Sequence, residues 1–261
     1  MLTSFRSELL RFGSTTRVGV IAMSALVALV TVFAFTGVDP APEGGRQAPG
    51  GQVADAASVL AEADGVLGGL ILASSMVGVI ALALCALSVA RDFELGTIRV
   101  LLVVQPARIR FLAGKLAALA VVIVAAVTAA AVVGGVIGLA LSGSADIDTS
   151  AWSASATLSA YANLTIGALI WGLFGAAFAV VARSASTAIT AGVAYFLVGE
   201  NLLRLVWENA GDWLPAGLLD TFTSGGSADV TYLAAAALLA IYAAAATTTL
   251  TVVFARRDIT D

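Results

Sequence analysis

The chain has 261 residues, of which 60% are apolar and 11% are charged. A soluble domain carries about 25% charged residues, so this chain lacks the polar surface needed to face water and is expected to lie in a membrane. It has no histidine and one cysteine, Cys85, which excludes a disulfide-stapled domain, a zinc protein and a Ser/His/Asp hydrolase.

The chain begins with a segment that is too polar to span a membrane. Its apolar residues Leu2, Phe5, Leu9 and Phe12 recur at helical spacing, while arginine and serine lie largely on the other side. This pattern predicts an interfacial helix over 1–16 that lies among the lipid headgroups. The alternative is a frayed tail that carries a cluster of positive charge.

Six uncharged runs follow, and five of them exceed the roughly 20 residues that a membrane span requires. The remaining run, Ser184–Gly199, has only 16 residues. The predicted fold class is an all-α membrane protein, a single transmembrane domain over 1–261 with six transmembrane helices. The predicted spans are about 18–38, 66–90, 115–141, 158–182, 185–205 and 231–255.

The positive charges predict the orientation of these spans. Of the 13 lysine and arginine residues, 11 lie before the first run, between the second and third, between the fourth and fifth, or after the sixth. The positive-inside rule then predicts a multi-pass protein of the plasma membrane with both termini cytoplasmic. The segment 39–64, which carries three of the five prolines, is predicted to be an external loop.

Two glycine pairs have the spacing that lets membrane helices approach closely. They are Gly65 with Gly69 and Gly134 with Gly138. The spacing predicts either packing within the chain or a contact between two copies.

The loop over 91–112 joins the second and third spans. Gly96 is predicted to end the second span in a left-handed cap, and Thr97 to begin a short apolar helix that stops before Pro106. Five positive charges surround this helix. It is expected either to dock into a soluble partner or to rest on the lipid surface.

This loop resembles the cytoplasmic loop of type-2 ABC transporter permeases. The resemblance lies in an acidic residue just before Gly-Thr, an apolar helix, a proline, a basic residue and a Gly-Lys pair that opens the third span. The amphipathic segment 5–11 and the six-span layout are also similar to that family. In this sequence the loop motif is formed by Phe93-Glu-Leu-Gly-Thr-Ile-Arg-Val-Leu-Leu102, Pro106, Arg108 and Gly114-Lys115.

The resemblance implies that the loop forms a coupling helix on a separate ATPase, with two ATPase copies and a second permease chain in a homodimer or related heterodimer. This sequence has no phosphate-binding loop motif, so ATP and Mg²⁺ are expected on the partner ATPase. No enzyme activity, cofactor or nucleic-acid partner is expected for this chain. The residues implied to couple to the ATPase are Glu94, Gly96, Thr97, Ile98, Arg99, Leu101 and Leu102.

Two further groups are candidates for a substrate path or gate. Glu200 and Arg204 are four residues apart and can pair on one helix face beside Asn201; the alternative is a structural cap at the outer interface. The resembled family breaks its fifth span here and adds a re-entrant external segment. Trp171, Phe174 and Phe178 share one face of the fourth span and are expected to line an apolar path or to serve in packing.

These observations favour the membrane subunit of an ATP-driven exporter that moves an apolar or amphipathic substrate by alternating access. A drug-like compound, a lipid or a hydrophobic peptide would suit the charge-poor spans, and the resemblance leans toward drug-resistance permeases. The alternative is a secondary transporter that couples transport to an ion through Glu200. A membrane-embedded enzyme is disfavoured, whereas a non-transporting partner or immunity protein would have the same sequence pattern.

Overall fold

The computed structural model describes residues 13–36, 56–96, 107–145, 147–207 and 209–256, and all regular elements within these ranges are helical. Two short 3₁₀ turns, Gly65–Leu67 and Thr149–Ala151, and one π-helical segment, Ala194–Gly199, interrupt the α-helices. The α-helices are α1 (Gly13–Thr36), α2 (Ala56–Ala61), α3 (Gly68–Leu72), α4 (Ser74–Glu94), α5 (Arg108–Ser142), α6 (Ala154–Ala182), α7 (Ala185–Val193), α8 (Glu200–Val206), α9 (Ala210–Trp213), α10 (Pro215–Thr223) and α11 (Tyr232–Arg256).

Within the described residues, six helices are long and apolar enough to cross a membrane, which agrees with the six helices predicted. Five of them are α1, α4, α5, α6 and α11. The sixth, which we call the fifth membrane helix, runs over Ala185–Val206 and consists of α7, the π-helical segment and α8. The short uncharged run therefore does form a helix of membrane length, because it continues through Glu200 to Val206.

Two of the predicted boundaries differ from those in the structure. The second membrane helix begins at Ser74 rather than near 66, because 65–72 forms a short 3₁₀ turn and α3 instead. The third begins at Arg108 rather than near 115, since Lys115 is buried inside the helix beside an opposite charge. A charged side chain that is neutralised by a partner does not have to end a buried helix.

Several predicted features lie outside the described residues. These are positions 1–12 of the predicted interfacial helix, positions 39–55 of the predicted external loop, and the predicted coupling helix from Ile98 to Val104. The remainder of the interfacial segment, residues 13–16, belongs to α1, and part of the predicted loop forms α2.

The helices α4 and α6 pack closely against each other. A Cβ atom at Gly175 would overlap the carbonyl oxygen of Leu82, and one at Gly78 would lie 2.6 Å from the indole of Trp171. These glycines therefore allow the two helix backbones to come close together. The helix α6 also packs against α5, α7 and α11, which makes it the centre of the bundle.

The predicted glycine pairs pack within the chain. Gly69 and Gly134 both face Thr31 of α1, whose side chain is 1% exposed and donates a hydrogen bond to the carbonyl oxygen of Val27 at 2.7 Å. Gly138 faces the ring of Phe35 on the same helix. Three of the four glycines thus serve the contacts of α1 with α3 and α5, whereas a Cβ atom at Gly65 would overlap the carbonyl oxygen of Leu60 in α2.

Candidate functional site

The ends of α4, α5, α7 and α11 lie together where the described chain stops at Gly96 and resumes at Ala107, and we call this group of helix ends the loop root. Its centre is an ion pair between Asp92 of α4 and Lys115 of α5, with 2.6 Å between the carboxylate oxygen and Nζ. Each side chain is only 4% exposed. A buried charge is stable only when it is paired in this way, so the ion pair fixes the two helix ends on either side of the loop.

Lys115 is part of the loop motif in the sequence, but its partner Asp92 was not predicted. A signal was present, since both charges border the long uncharged runs that end at Ala90 and begin at Leu116. Two opposite charges at the adjoining ends of consecutive spans are brought to the same depth when the two helices pack side by side.

Glu94 lies two residues further along and contacts a different helix. Its carboxylate oxygen Oε1 accepts a hydrogen bond of 2.7 Å from the backbone N–H of Ala185, the first residue of α7. The preceding residue, Ser184, makes no side-chain capping bond of its own. Glu94 therefore supplies from α4 the cap that the start of the fifth membrane helix requires.

Gly96 adopts the predicted left-handed conformation, with a φ of +64°. The N–H of Leu95 donates to the carbonyl oxygen of Arg91, and that of Gly96 to Phe93. This arrangement ends α4 cleanly at the loop root. The other residues predicted to contact an ATPase lie outside the described residues: Thr97, Ile98, Arg99, Leu101 and Leu102.

An aromatic cluster joins the last helix to the loop root. The ring of Phe254 in α11 lies 6.2 Å from that of Phe93 and 6.3 Å from that of Phe111. Beside it, Nη1 of Arg108 donates a hydrogen bond of 3.2 Å to the carbonyl oxygen of Ala255. Four helices are therefore held together around the two ends of the loop.

The second candidate group lies at the opposite end of the fifth membrane helix. Glu200 is 1% exposed, and its carboxylate accepts from the backbone N–H of Ala216 at 2.9 and 3.2 Å. Arg204 makes no direct ion pair with Glu200. The buried Nε of Arg204 has no hydrogen-bond partner among the described residues. Asn201 donates to the carbonyl oxygen of Leu197 in its own helix. The structure thus differs from the expected pairing of Glu200 with Arg204.

The aromatic residues Trp171, Phe174 and Phe178 all face Phe196 in the π-helical segment. Their ring centroids lie 4.4, 5.3 and 6.4 Å from that of Phe196, which is 3% exposed. Phe196 was not predicted to belong to this group, because its only signal in the sequence is its place in an apolar run. The stripe therefore packs α6 against the fifth membrane helix.

An apolar cavity of about 250 Å³ lies between α4, α5 and α6, next to Cys85. A smaller cavity of about 20 Å³ near the other end of the bundle is lined in part by Ser74, Ser75, Asp220 and Thr223. Among the described residues, no group of three or more His, Cys, Asp or Glu is placed to hold a metal ion.

A family model with the description "Protein of unknown function (DUF2705)" matches residues 56–260. No curated protein matches the chain. The family match covers more than half of the chain and includes both the loop root and the segment around Glu200.

Proposed function

The chain belongs to the DUF2705 family, whose function is unknown, and from its own residues we propose that it is the membrane-spanning permease subunit of an ATP-driven exporter. Two such chains and two copies of a separate ATPase form the transporter, and the ATPase binds ATP and Mg²⁺. The cargo is an apolar or amphipathic compound, which crosses the plasma membrane by alternating access.

The observation that carries this proposal is the loop root, where buried contacts join the ends of four helices. A buried ion pair, a carboxylate cap and an aromatic cluster join four helix ends at the two sides of a loop whose sequence from Ile98 to Val104 is apolar except for Arg99. Helix ends that are joined by buried contacts suit a loop that docks into a protein partner, because movement of the partner would be passed to all four helices.

The low charge of the membrane helices supports an energy source outside the membrane. An ion-driven carrier requires ionisable groups inside its spans. In the described part of the six helices, the buried charged residues are Asp92, Lys115 and Glu200. The first two are paired with each other, and the carboxylate of Glu200 is bound to a backbone N–H.

The proposal is tested by purifying the chain with its untagged neighbours and asking whether an ATPase comes with it. In Leu101→Asp, a charge enters the apolar segment that docks on the partner, and burying an unpaired charge costs several kcal/mol. We expect this variant to insert normally but to lose the ATPase during purification.

The matched control for this experiment is Val53→Asp, which makes a similar change in the predicted external loop. It should retain the ATPase at the level of the unmodified chain. Normal recovery of the ATPase with Leu101→Asp, or recovery of no ATPase with the unmodified chain, would contradict the proposed function.

The proposed orientation leads to a separate prediction. In a Cys85→Ala background, a membrane-impermeant maleimide should label Gly44→Cys and Ser224→Cys in intact cells. It should label Gln105→Cys only after the cells are permeabilised, because the positive-inside rule places the loop over 91–112 in the cytoplasm. Labelling of position 105 in intact cells would reverse the topology.

A secondary transporter remains the second candidate because Glu200 is a carboxylate buried within a membrane-length helix. Flux driven by an imposed pH gradient without ATP, and abolished in Glu200→Gln, would favour this candidate. The exporter instead requires that the gradient alone drives no flux.

A further inference from the structure

The fifth membrane helix is held by a carboxylate at each of its two ends. At its start, Glu94 of α4 accepts from the N–H of Ala185 at 2.7 Å. Near its end, Glu200 accepts from the N–H of Ala216 in α10 at 2.9 Å. The helix has 22 residues, which corresponds to about 33 Å at 1.5 Å per residue. It therefore connects the loop root directly to the segment on the opposite side of the bundle.

The helix α10 depends on this connection for its position. It begins at Pro215 and its preceding residue, Leu214, offers no side-chain cap, so the cap at Ala216 comes from the end of the fifth membrane helix. At the same point Gly217 lies against the backbone of Gly211, where even a Cβ atom would overlap the carbonyl oxygen. The contact of Gly217 with Gly211 holds α10 against α9, and the hydrogen bond from Ala216 to Glu200 joins α10 to α8, so a shift of α8 is passed to α10 through Glu200.

Between the two carboxylates, the π-helical segment Ala194–Gly199 interrupts the helix. A π turn contains more residues than an α turn. If the π turn became an α turn, the turn would lose one residue. The part of the helix that follows would then rotate by roughly 100° about the helix axis. Phe196 anchors the segment in the aromatic cluster of α6, so the two halves of the helix have a defined point about which they can turn.

We propose that the fifth membrane helix is a mechanical link between the loop root and α10, with Glu94 and Glu200 as positioning residues at its ends and the π-helical segment as its hinge. A displacement at the loop root is passed through Glu94 to the helix, and through Glu200 to α10. This inference goes beyond the proposed function, because it concerns a connection within one chain and requires no particular partner.

The link is tested by hydrogen–deuterium exchange on the purified full-length chain in lipid nanodiscs. Glu94→Ala removes the acceptor at Ala185, and we expect about tenfold faster exchange there, the loss that corresponds to one hydrogen bond to a charged group. The decisive measurement is the peptide that contains Ala216, where coupling through the helix should speed exchange about threefold. Glu94→Gln retains an acceptor oxygen and should restore most of the protection at both places.

The reciprocal variant is Glu200→Ala, which should speed exchange at Ala216 directly and at Ala185 through the link, because coupling between two sites acts in both directions. It also keeps the test decisive if Glu94→Ala fails to fold. The control variant is Thr31→Val, which removes a hydroxyl from the contact between α1 and α5 and should leave Ala185 and Ala216 unchanged.

Two results would overturn the proposal. The first is faster exchange only at the N–H group next to each altered carboxylate, which would make Glu94 and Glu200 independent local caps. The second is a uniform increase that includes the α1 peptides, which would make the carboxylates general contributors to stability. Increases confined to the fifth membrane helix, the loop root and α10 would establish the link.

Discussion

Lys115→Met is expected to lower the free energy of unfolding by about 3–5 kcal/mol, because it leaves the carboxylate of Asp92 buried without its charged partner. The two groups lie 2.6 Å apart and are 4% exposed, so water cannot replace the missing ammonium group. The measurement is unfolding of the purified chain in detergent micelles, followed through its tryptophan fluorescence.

The double variant Asp92→Asn with Lys115→Met separates the ion pair from simple packing. Since both charges are removed together, most of the lost stability should return. A double variant that is as unstable as the sum of the two single variants would show that each residue acts through other contacts rather than through the pair.

The second large effect is expected from Gly175→Ala at the contact of α6 with α4. The added Cβ would overlap the carbonyl oxygen of Leu82 and lie 2.8 Å from its carbonyl carbon. These are backbone atoms that cannot rotate away, so the helices must separate. We expect a loss of about 1–3 kcal/mol, measured by the same unfolding experiment.

The matched control is Gly135→Ala in α5, where the nearest atoms to a new Cβ are 3.8 Å away. This distance is an ordinary contact, and alanine favours a helix interior over glycine by about 0.5–1 kcal/mol. The control should therefore be slightly more stable than the unmodified chain. If both alanine variants behaved alike, the close approach of α4 and α6 would not be a determinant of stability.

The carboxylate of Glu200 illustrates the limit of reasoning from sequence spacing. The rule that residues four apart share a helix face is a local rule, and it suggested a pair with Arg204. In the structure the carboxylate contacts the N–H of Ala216, which is 16 residues away. The turn that brings α10 back to Glu200 follows from tertiary packing, including the close contact of Gly217 with Gly211.

Glu94 shows the same limit over a longer distance. The sequence indicated an acidic residue at the end of the second span, and its resemblance implied a contact with a partner protein. The structure shows that Glu94 contacts Ala185, 91 residues further along the same chain. Nothing in the local pattern identifies Ala185, because its N–H belongs to the backbone and carries no side-chain signal.

By itself, the sequence determined that the part of the chain that the structure describes contains six membrane-length helices and that Gly96 ends one of them. These features depend on hydropathy, charge and backbone conformation within about 20 consecutive residues. Only the tertiary structure decided that Asp92 pairs with Lys115 and that Phe196 packs against the aromatic residues of α6. It also decided that the carboxylates of Glu94 and Glu200 accept hydrogen bonds at the two ends of the fifth membrane helix. Those contacts join segments far apart in the chain, and their geometry is set by how closely the helices pack.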